Sequence, residues 1–226
     1  MTWLALGATE APLQLSVGGG SAAVKLFLLL TVLSFATGAL IAITSFTRIV
    51  IVMSFLRQAL GTPQLPPNQV VMALALALTG FVMAPTFTKV HAEAVGPYLD
   101  DQISSQDAMD RGSAPVLEFL LKQTRPEDLR LFYELAGAER PTRAEQVPLF
   151  IAVPAFMISE LTTAFRMGLF LFIPLLLIDL LVSAVLMALG LMMVPPTLVS
   201  LPLKVGIFLL ADGWHLLVQS LIRSFQ

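Results

Sequence analysis

The sequence of 226 residues contains no cysteine and only two histidines, His91 and His215. Disulfides and thiolate metal sites are therefore excluded, and a histidine-rich metal site is not expected. Charged residues are also scarce, at 12%, whereas ordinary soluble domains have about 25%. Because the net charge is only −2, nothing favours binding to nucleic acid or attachment to a membrane surface through a polybasic segment.

Motifs for catalysis are missing as well. The sequence has no GxSxG, HExxH, Walker or CxxC pattern. Glu160 and His215 are of types that do acid–base chemistry, but nothing in the sequence brings them together. We therefore expect neither an enzyme nor a bound cofactor.

Apolar residues, in contrast, are abundant at 57%, and the mean hydropathy is +0.85. This composition indicates an integral membrane protein. The longest apolar run covers residues 167–203, in which Asp179 is the only charge. A membrane span needs roughly 20 apolar residues, so this run is long enough to cross a bilayer and turn. Since adjacent prolines cannot continue a helix, we predict a tip at residues 192–196, formed by Met192, Met193, Val194, Pro195 and Pro196.

Further apolar helices follow from the same pattern. Residues 26–47 carry no charge and the apolar pattern continues past Arg48 to Leu60, which predicts one long helix. A second helix runs from Gln69 to about residue 87 and is ended by Pro85. The third begins near residue 148 or 154. After the tip, a single helix is expected to return towards Arg223.

The stretch between these helices is polar, with a local net charge of −5 over residues 93–145. A helix start is predicted at residues 104–107, and a second helix at Pro126 with Thr124 as its N-cap. These patterns indicate a small water-facing helical segment. Because the short loop after Arg57 is cytoplasmic by the positive-inside rule, the segment is expected on the outer side.

The chain is therefore predicted to be an all-α, membrane-associated protein with two long helical hairpins joined by a polar insert. The expected divisions are a flexible leader or signal remnant at 1–24, a first hairpin at 25–92, the insert at 93–147 and a second hairpin at 148–226.

Five charges interrupt the apolar sequence: Glu160, Arg166, Asp179, Lys204 and Asp212. A charge at the bilayer centre costs roughly 2.5–3.5 kcal/mol, so each should face a protein interior or water and find a partner. With the tip placed near Val194, Asp179 and Asp212 lie at comparable depth. Lys204 can then meet a carboxylate only from another hairpin or subunit, unless the two helices of its own hairpin are shifted in register relative to each other. Ion pairs that hold an assembly together and a proton or ion relay are both compatible with these charges.

Several uncommon tracts of this sequence resemble the FliP family of type III export gates, which includes the SctR proteins of virulence systems. The tracts are TSFTRIVIV at 44–52, LRQALG at 56–61, PPNQV at 66–70, IP at 173–174, IDL at 178–180, PP at 195–196, SLPLK at 200–204 and DGW at 212–214.

The resemblance implies a pentameric, helically rising ring in the flagellar basal body of the bacterial inner membrane. The implied partners are further copies of the chain, FliQ, FliR, FlhB and FlhA, and unfolded flagellar subunits in transit. The insert is expected to face the periplasm, and the hairpins are expected to be lifted largely above the bilayer plane. A virulence SctR subunit and a small ion-coupled secondary transporter are the alternatives.

The resemblance also implies a methionine gasket that seals the pore at rest, formed here by Leu191, Met192 and Met193. From the residues alone, ordinary apolar packing explains two methionines at a turn equally well. The family commonly has three methionines in a row, whereas the first position here is Leu191. The family also often has lysine where this chain has Thr162, which leaves the partner of Glu160 open.

Overall fold

The computed structural model describes residues 20–141 and 143–226, which contain helices, turns and no strand. The all-α prediction is thus confirmed for this part of the chain. The predicted leader lies mostly outside the described residues. The chain divides into two compact units, with the boundary between Ala39 and Leu40. Most of helix α1 (Gly20–Ala42) belongs to the first unit, and everything described below belongs to the second.

Helix α2 (Phe46–Leu60) is separate from α1, so the prediction of one helix through residues 26–60 is wrong. The chain turns at residues 43–45, where hydroxyl side chains compete for backbone groups. The Thr44 hydroxyl accepts a hydrogen bond from the Phe46 amide, and the Thr47 hydroxyl donates to the Ile41 carbonyl. Helix α2 ends at Gly61, whose φ of 79° is the left-handed conformation that glycine adopts readily.

Helix α3 (Asn68–Val90) passes through Pro85, which therefore does not end it as predicted. Its path continues through a π-helical turn (His91–Val95) into α4 (Gly96–Leu99). Together they give a helical run of 32 residues that is apolar enough to span a membrane. A proline inside a helix removes one backbone hydrogen bond, and here the helix accommodates that loss.

The polar segment contains α5 (Ser105–Gln123) and α6 (Pro126–Ala136). The predicted start of α5 is confirmed, because Ser104 and Asp107 form a capping box. Pro126 is the first residue of α6, as predicted, but its N-cap is Arg125 rather than Thr124. Thr124 is instead the C-cap of α5. A separate apolar cluster, which includes Leu120 and Tyr133, packs these helices against the start of the next one.

Helix α7 (Leu149–Ala188) has 40 residues and contains Pro154 and Pro174. At 1.5 Å per residue it is about 60 Å long. Its contact with α2 is the most extensive between any two helices of the described chain. Gly168 allows this approach, since a Cβ at that position would lie 2.5 Å from a ring carbon of Phe55 on α2.

After the turn at residues 189–196 come α8 (Thr197–Leu210) and α9 (Gly213–Arg223), which are bent by 65° relative to each other. The prediction of a single returning helix is therefore wrong. The bend is made at Asp212, which has a left-handed φ of 52°. In the described chain three helices are long and apolar enough to cross a membrane, or four if α8 and α9 count as one span. Membrane association is thus supported by length and composition.

Candidate functional site

The turn between α7 and α8 is closed by backbone hydrogen bonds. Gly190 has a φ of 73° and follows the C-cap residue Leu189. The amide of Gly190 donates to the Met187 carbonyl and that of Leu191 to the Leu186 carbonyl, which is a Schellman motif. A further bond from the Val194 amide to the Leu191 carbonyl closes the tip. The backbone path of the turn therefore depends little on the side chains at its tip.

Those tip side chains are apolar and face outwards. Leu191 is 46% exposed, Met192 82% and Met193 96%. Pro195 is exposed, whereas Val194 and Pro196 are partly buried. Packing within the chain thus does not account for the two methionines. Methionine side chains are flexible and polarisable. The tip is therefore suited to contacts with other molecules whose surfaces vary in shape.

Lys204 and Asp179 form an ion pair behind the turn. The Lys204 ammonium lies 2.5 Å from Oδ2 of Asp179 and donates a second hydrogen bond, of 2.9 Å, to the Ala59 carbonyl. Of the alternatives predicted for Lys204, the structure shows the shifted register, and the register measured from Val194 is wrong. Asp179 lies nine residues before the end of α7 and Lys204 seven residues after the start of α8. The error came from measuring depth from Val194, although the turn already begins at Leu189.

Arg48 is the partner of Glu160. The Nε and Nη2 groups of Arg48 donate to the two carboxylate oxygens of Glu160, and both side chains are almost completely buried. The two residues are 112 positions apart, so sequence periodicity could not pair them. The available signal was that Arg48 is a lone charge within a long apolar run, where an unpaired charge is costly.

Ser159, the neighbour of Glu160, attaches the polar segment to α7. Its hydroxyl donates to Asp128 at 2.5 Å and accepts from the Arg125 amide at 3.0 Å. The Arg125 guanidinium binds both oxygens of Asp128 at 2.8 Å and also donates to the hydroxyl of Thr162. Burial acts to raise the pKa of Asp128, but the hydrogen bonds from Arg125 and Ser159 outweigh it and hold this pKa below its ordinary value.

Comparison with known proteins decides the family. A profile of the FliP family matches residues 29–221, which include the turn and both ion pairs. The chain belongs to the FliP family. The resemblance seen in the sequence tracts is thereby confirmed.

Several relatives in this family are similar over nearly the whole chain. The flagellar biosynthetic protein FliP of Bacillus subtilis is 52% identical, with 91% of this chain and 93% of the relative covered. FliP of Pectobacterium carotovorum is 51% identical, over 89% of this chain and 78% of the relative. FliP of Aquifex aeolicus is 46% identical, over 95% and 92%.

Two of the five charges singled out in this FliP-family chain are exposed. Arg166 lies on the surface of α7, and its charge helps to lower the pKa of Asp128. Asp212 lies at the bend between α8 and α9. Among residues 20–141 and 143–226, no group of three or more histidine, aspartate and glutamate side chains is arranged to hold a metal ion.

Proposed function

We propose that this FliP-family chain is a pore-forming core subunit of the flagellar type III export gate, which passes unfolded flagellar subunits across the inner membrane. Family membership and the flagellar names of the relatives favour this function over a virulence SctR subunit or an ion-coupled transporter. The observation that carries the proposal is the apolar tip at Leu191, Met192 and Met193, which is ordered by its backbone yet exposed in the single chain.

Burial of this tip requires other chains. In a ring of copies the tips converge on the axis, and their side chains close the passage when no substrate is present. Flexible methionine side chains can repack around a passing polypeptide of any sequence, since they make apolar contacts without a fixed shape. Leu191 keeps the bulk of a methionine at the first position but is less pliable, which makes the seal stiffer there.

The architecture proposed for this export function has two hairpins, at 25–92 and 148–226. The insert at 93–147 faces the periplasm, and residues 1–24 form a leader. The partners proposed are further copies of the chain in a helically rising ring, together with FliQ, FliR, FlhB and FlhA in the flagellar basal body. Exposed Arg166 and Asp212 are available for contacts between subunits. Glu160, Asp179 and Lys204 instead stabilise each subunit before it assembles, because they are paired within the chain.

This placement of charges also supports a passive gate over an enzyme or ion transporter. Both oxygens of Glu160 accept hydrogen bonds from Arg48, and the Lys204 ammonium already has two acceptors. Groups committed in this way are poorly suited to proton transfer, which needs a free acceptor or donor within reach.

Replacement of both Met192 and Met193 by alanine tests the gasket. In cells that express the complete gate, we expect the double variant to make resting membranes leak small solutes. The matched control is Leu210→Ala, an equally exposed apolar residue at the far end of α8, which should leave the membrane tight. Leakage that is the same in the double variant and in the parent would remove the gasket role from these residues.

A second measurement separates the gate from the transporter. Native mass spectrometry of the chain co-expressed with its operon should show a ring that contains unlike subunits. A small homo-oligomer that retains an ion or solute would instead support the transporter.

A further inference from the structure

Helix α9 is short and depends on contacts with the rest of the chain. It has 11 residues, and isolated helices of fewer than about 12–15 residues are marginal in water. It starts at the sharp bend at Asp212, so α8 does not extend into it as a continuous helix. Its buried residues Leu217 and Leu221 are four positions apart and join the core around α2.

The C-terminal end of α9 has no glycine cap. Ser224 follows the helix in a right-handed conformation, so no left-handed residue closes the last turn. The carbonyls of Leu221, Ile222 and Arg223 accept hydrogen bonds from the amides of Ser224, Phe225 and Gln226, so the next carbonyl, that of Ser224, is the one that needs a donor from elsewhere. Here the Nη1 group of Arg48 on α2 donates to the carbonyl and the hydroxyl of Ser224, at 2.8 and 3.0 Å. A cation at this position also interacts favourably with the helix dipole.

Phe225 completes the same arrangement. It continues the four-residue spacing of Leu217 and Leu221 and is buried in the same core. Its ring lies against the Arg48 guanidinium, 3.8 Å from ring centroid to Cζ, in a cation–π contact. Its carbonyl accepts a hydrogen bond of 2.9 Å from the side-chain amide of Gln123, the last residue of α5.

Arg48 uses every N–H group it has. One from Nε and one from Nη2 bind Glu160, two from Nη1 bind Ser224, and the other from Nη2 binds Gln123. A guanidinium has five N–H donors in a fixed planar fork, whereas the ammonium of lysine has three on a single atom. The arginine fork spreads its donors over three nitrogens, so Arg48 reaches α7, α5 and the end of α9 in different directions while its charge is balanced by Glu160.

We propose that Ser224 and Phe225 form a latch that closes over Arg48, in which α2 and α5 supply the donors to the two carbonyls that follow α9. Closure of the latch fixes the direction of α9 after the bend. It also attaches the end of α5 to α2 and to the segment after α9, because Gln123 binds both Arg48 and the Phe225 carbonyl. None of the residues in the latch belongs to the turn at residues 189–196, so the latch can be tested separately from the proposed gasket.

Hydrogen–deuterium exchange of the full-length protein in detergent tests the latch with Arg48→Lys. We expect the backbone amides of residues 217–225 to exchange about 10-fold faster, because α9 then opens locally without global unfolding. The matched control is Arg57→Lys on the same helix. Arg57 binds the Pro66 carbonyl and Asn68 and makes no hydrogen bond to α9. Unchanged exchange in Arg48→Lys would overturn the proposal, and so would an equal increase in the control.

Two further variants cover the case in which Arg48→Lys does not fold. Phe225→Leu keeps apolar bulk but removes the ring from the guanidinium, and Gln123→Leu removes the hydrogen bond to the Phe225 carbonyl. Each should increase exchange at residues 217–225 while α6 (Pro126–Ala136) keeps its protection. If neither variant changes exchange in α9, or if α6 loses protection to the same extent, the latch does not exist.

Discussion

The two halves of α7 are both mainly apolar, the second more so than the first, but their surroundings are opposite. From Leu149 to Gly168 the helix buries eight residues, among them Phe156, Ser159 and Glu160. From residue 169 to Ala188 it buries only Leu175, Val182 and Leu186, while side chains such as Phe170 and Leu181 are exposed. The first half is therefore stabilised within the chain, and the second half is left for lipid or other subunits to cover. Substitutions in the first half should act on stability, and, in the proposed gate, substitutions near the tip should act on assembly and sealing.

The largest effect in the buried half is expected for Glu160→Ala. It leaves the Arg48 guanidinium buried without its carboxylate, and breaking such a pair typically costs about 3–5 kcal/mol. The free energy of unfolding, measured in mixed detergent micelles, should fall by this amount. The control is Glu118→Ala, which removes the exposed partner of Lys89 and should change nothing measurable. Equal effects of the two substitutions would show that the buried pair does not stabilise the chain.

A smaller effect is expected for Gly168→Ala, at the border between the two halves. The added methyl group would meet the Phe55 ring at 2.5 Å, and overpacking of this kind costs about 1–3 kcal/mol. Gly206→Ala on α8 is the control, because nothing lies within 4 Å of the position of its Cβ. Phe55→Ala removes the two closest carbons, so the double variant should cost less stability than the sum of the two single variants. A thermal midpoint unchanged by Gly168→Ala would mean that α2 and α7 separate easily here.

The smallest effect concerns Asp128 and appears only at low pH. Its pKa is lowered in the folded state, so it stabilises the fold above its unfolded pKa of about 3.9, and this contribution is lost as pH falls through the folded value. Asp128→Asn should therefore be less stable than the parent at pH 7, and the difference should shrink on acidification below about pH 4. Asp110→Asn, at an exposed position on α5, is the control. A difference between parent and Asp128→Asn that is constant with pH would contradict this account.

Local signals in the sequence predicted much of the fold. The helix start at residues 104–107 and the proline start of α6 are short-range features that the structure confirms, and of the two starts predicted for α7, residues 148 and 154, it confirms the first. The bend at Asp212 was missed although the dipeptide Asp212-Gly213 is a turn signal, because the apolar pattern continues on both sides of it. The break at residues 43–45 was missed because threonine and serine are also tolerated inside helices.

The candidate site was predictable only in part. The turn could be placed from its glycine and prolines, and the charges could be named because each is costly in an apolar run. Their pairing depended on distances that local patterns do not contain, such as the 112 positions between Arg48 and Glu160. The parts played by Gln123 and Ser224 had no signal in the sequence, since both are ordinary polar residues near helix ends.

The Schellman motif at Gly190 has a practical consequence for protein engineering. Main-chain hydrogen bonds and one glycine determine the backbone path of residues 189–194. The side chains of Leu191, Met192 and Met193 at the tip can therefore be replaced one at a time by larger or smaller ones while the backbone of the turn keeps its conformation. In the proposed ring, the width of the opening at these side chains could then be varied stepwise by substitution, from alanine to tryptophan.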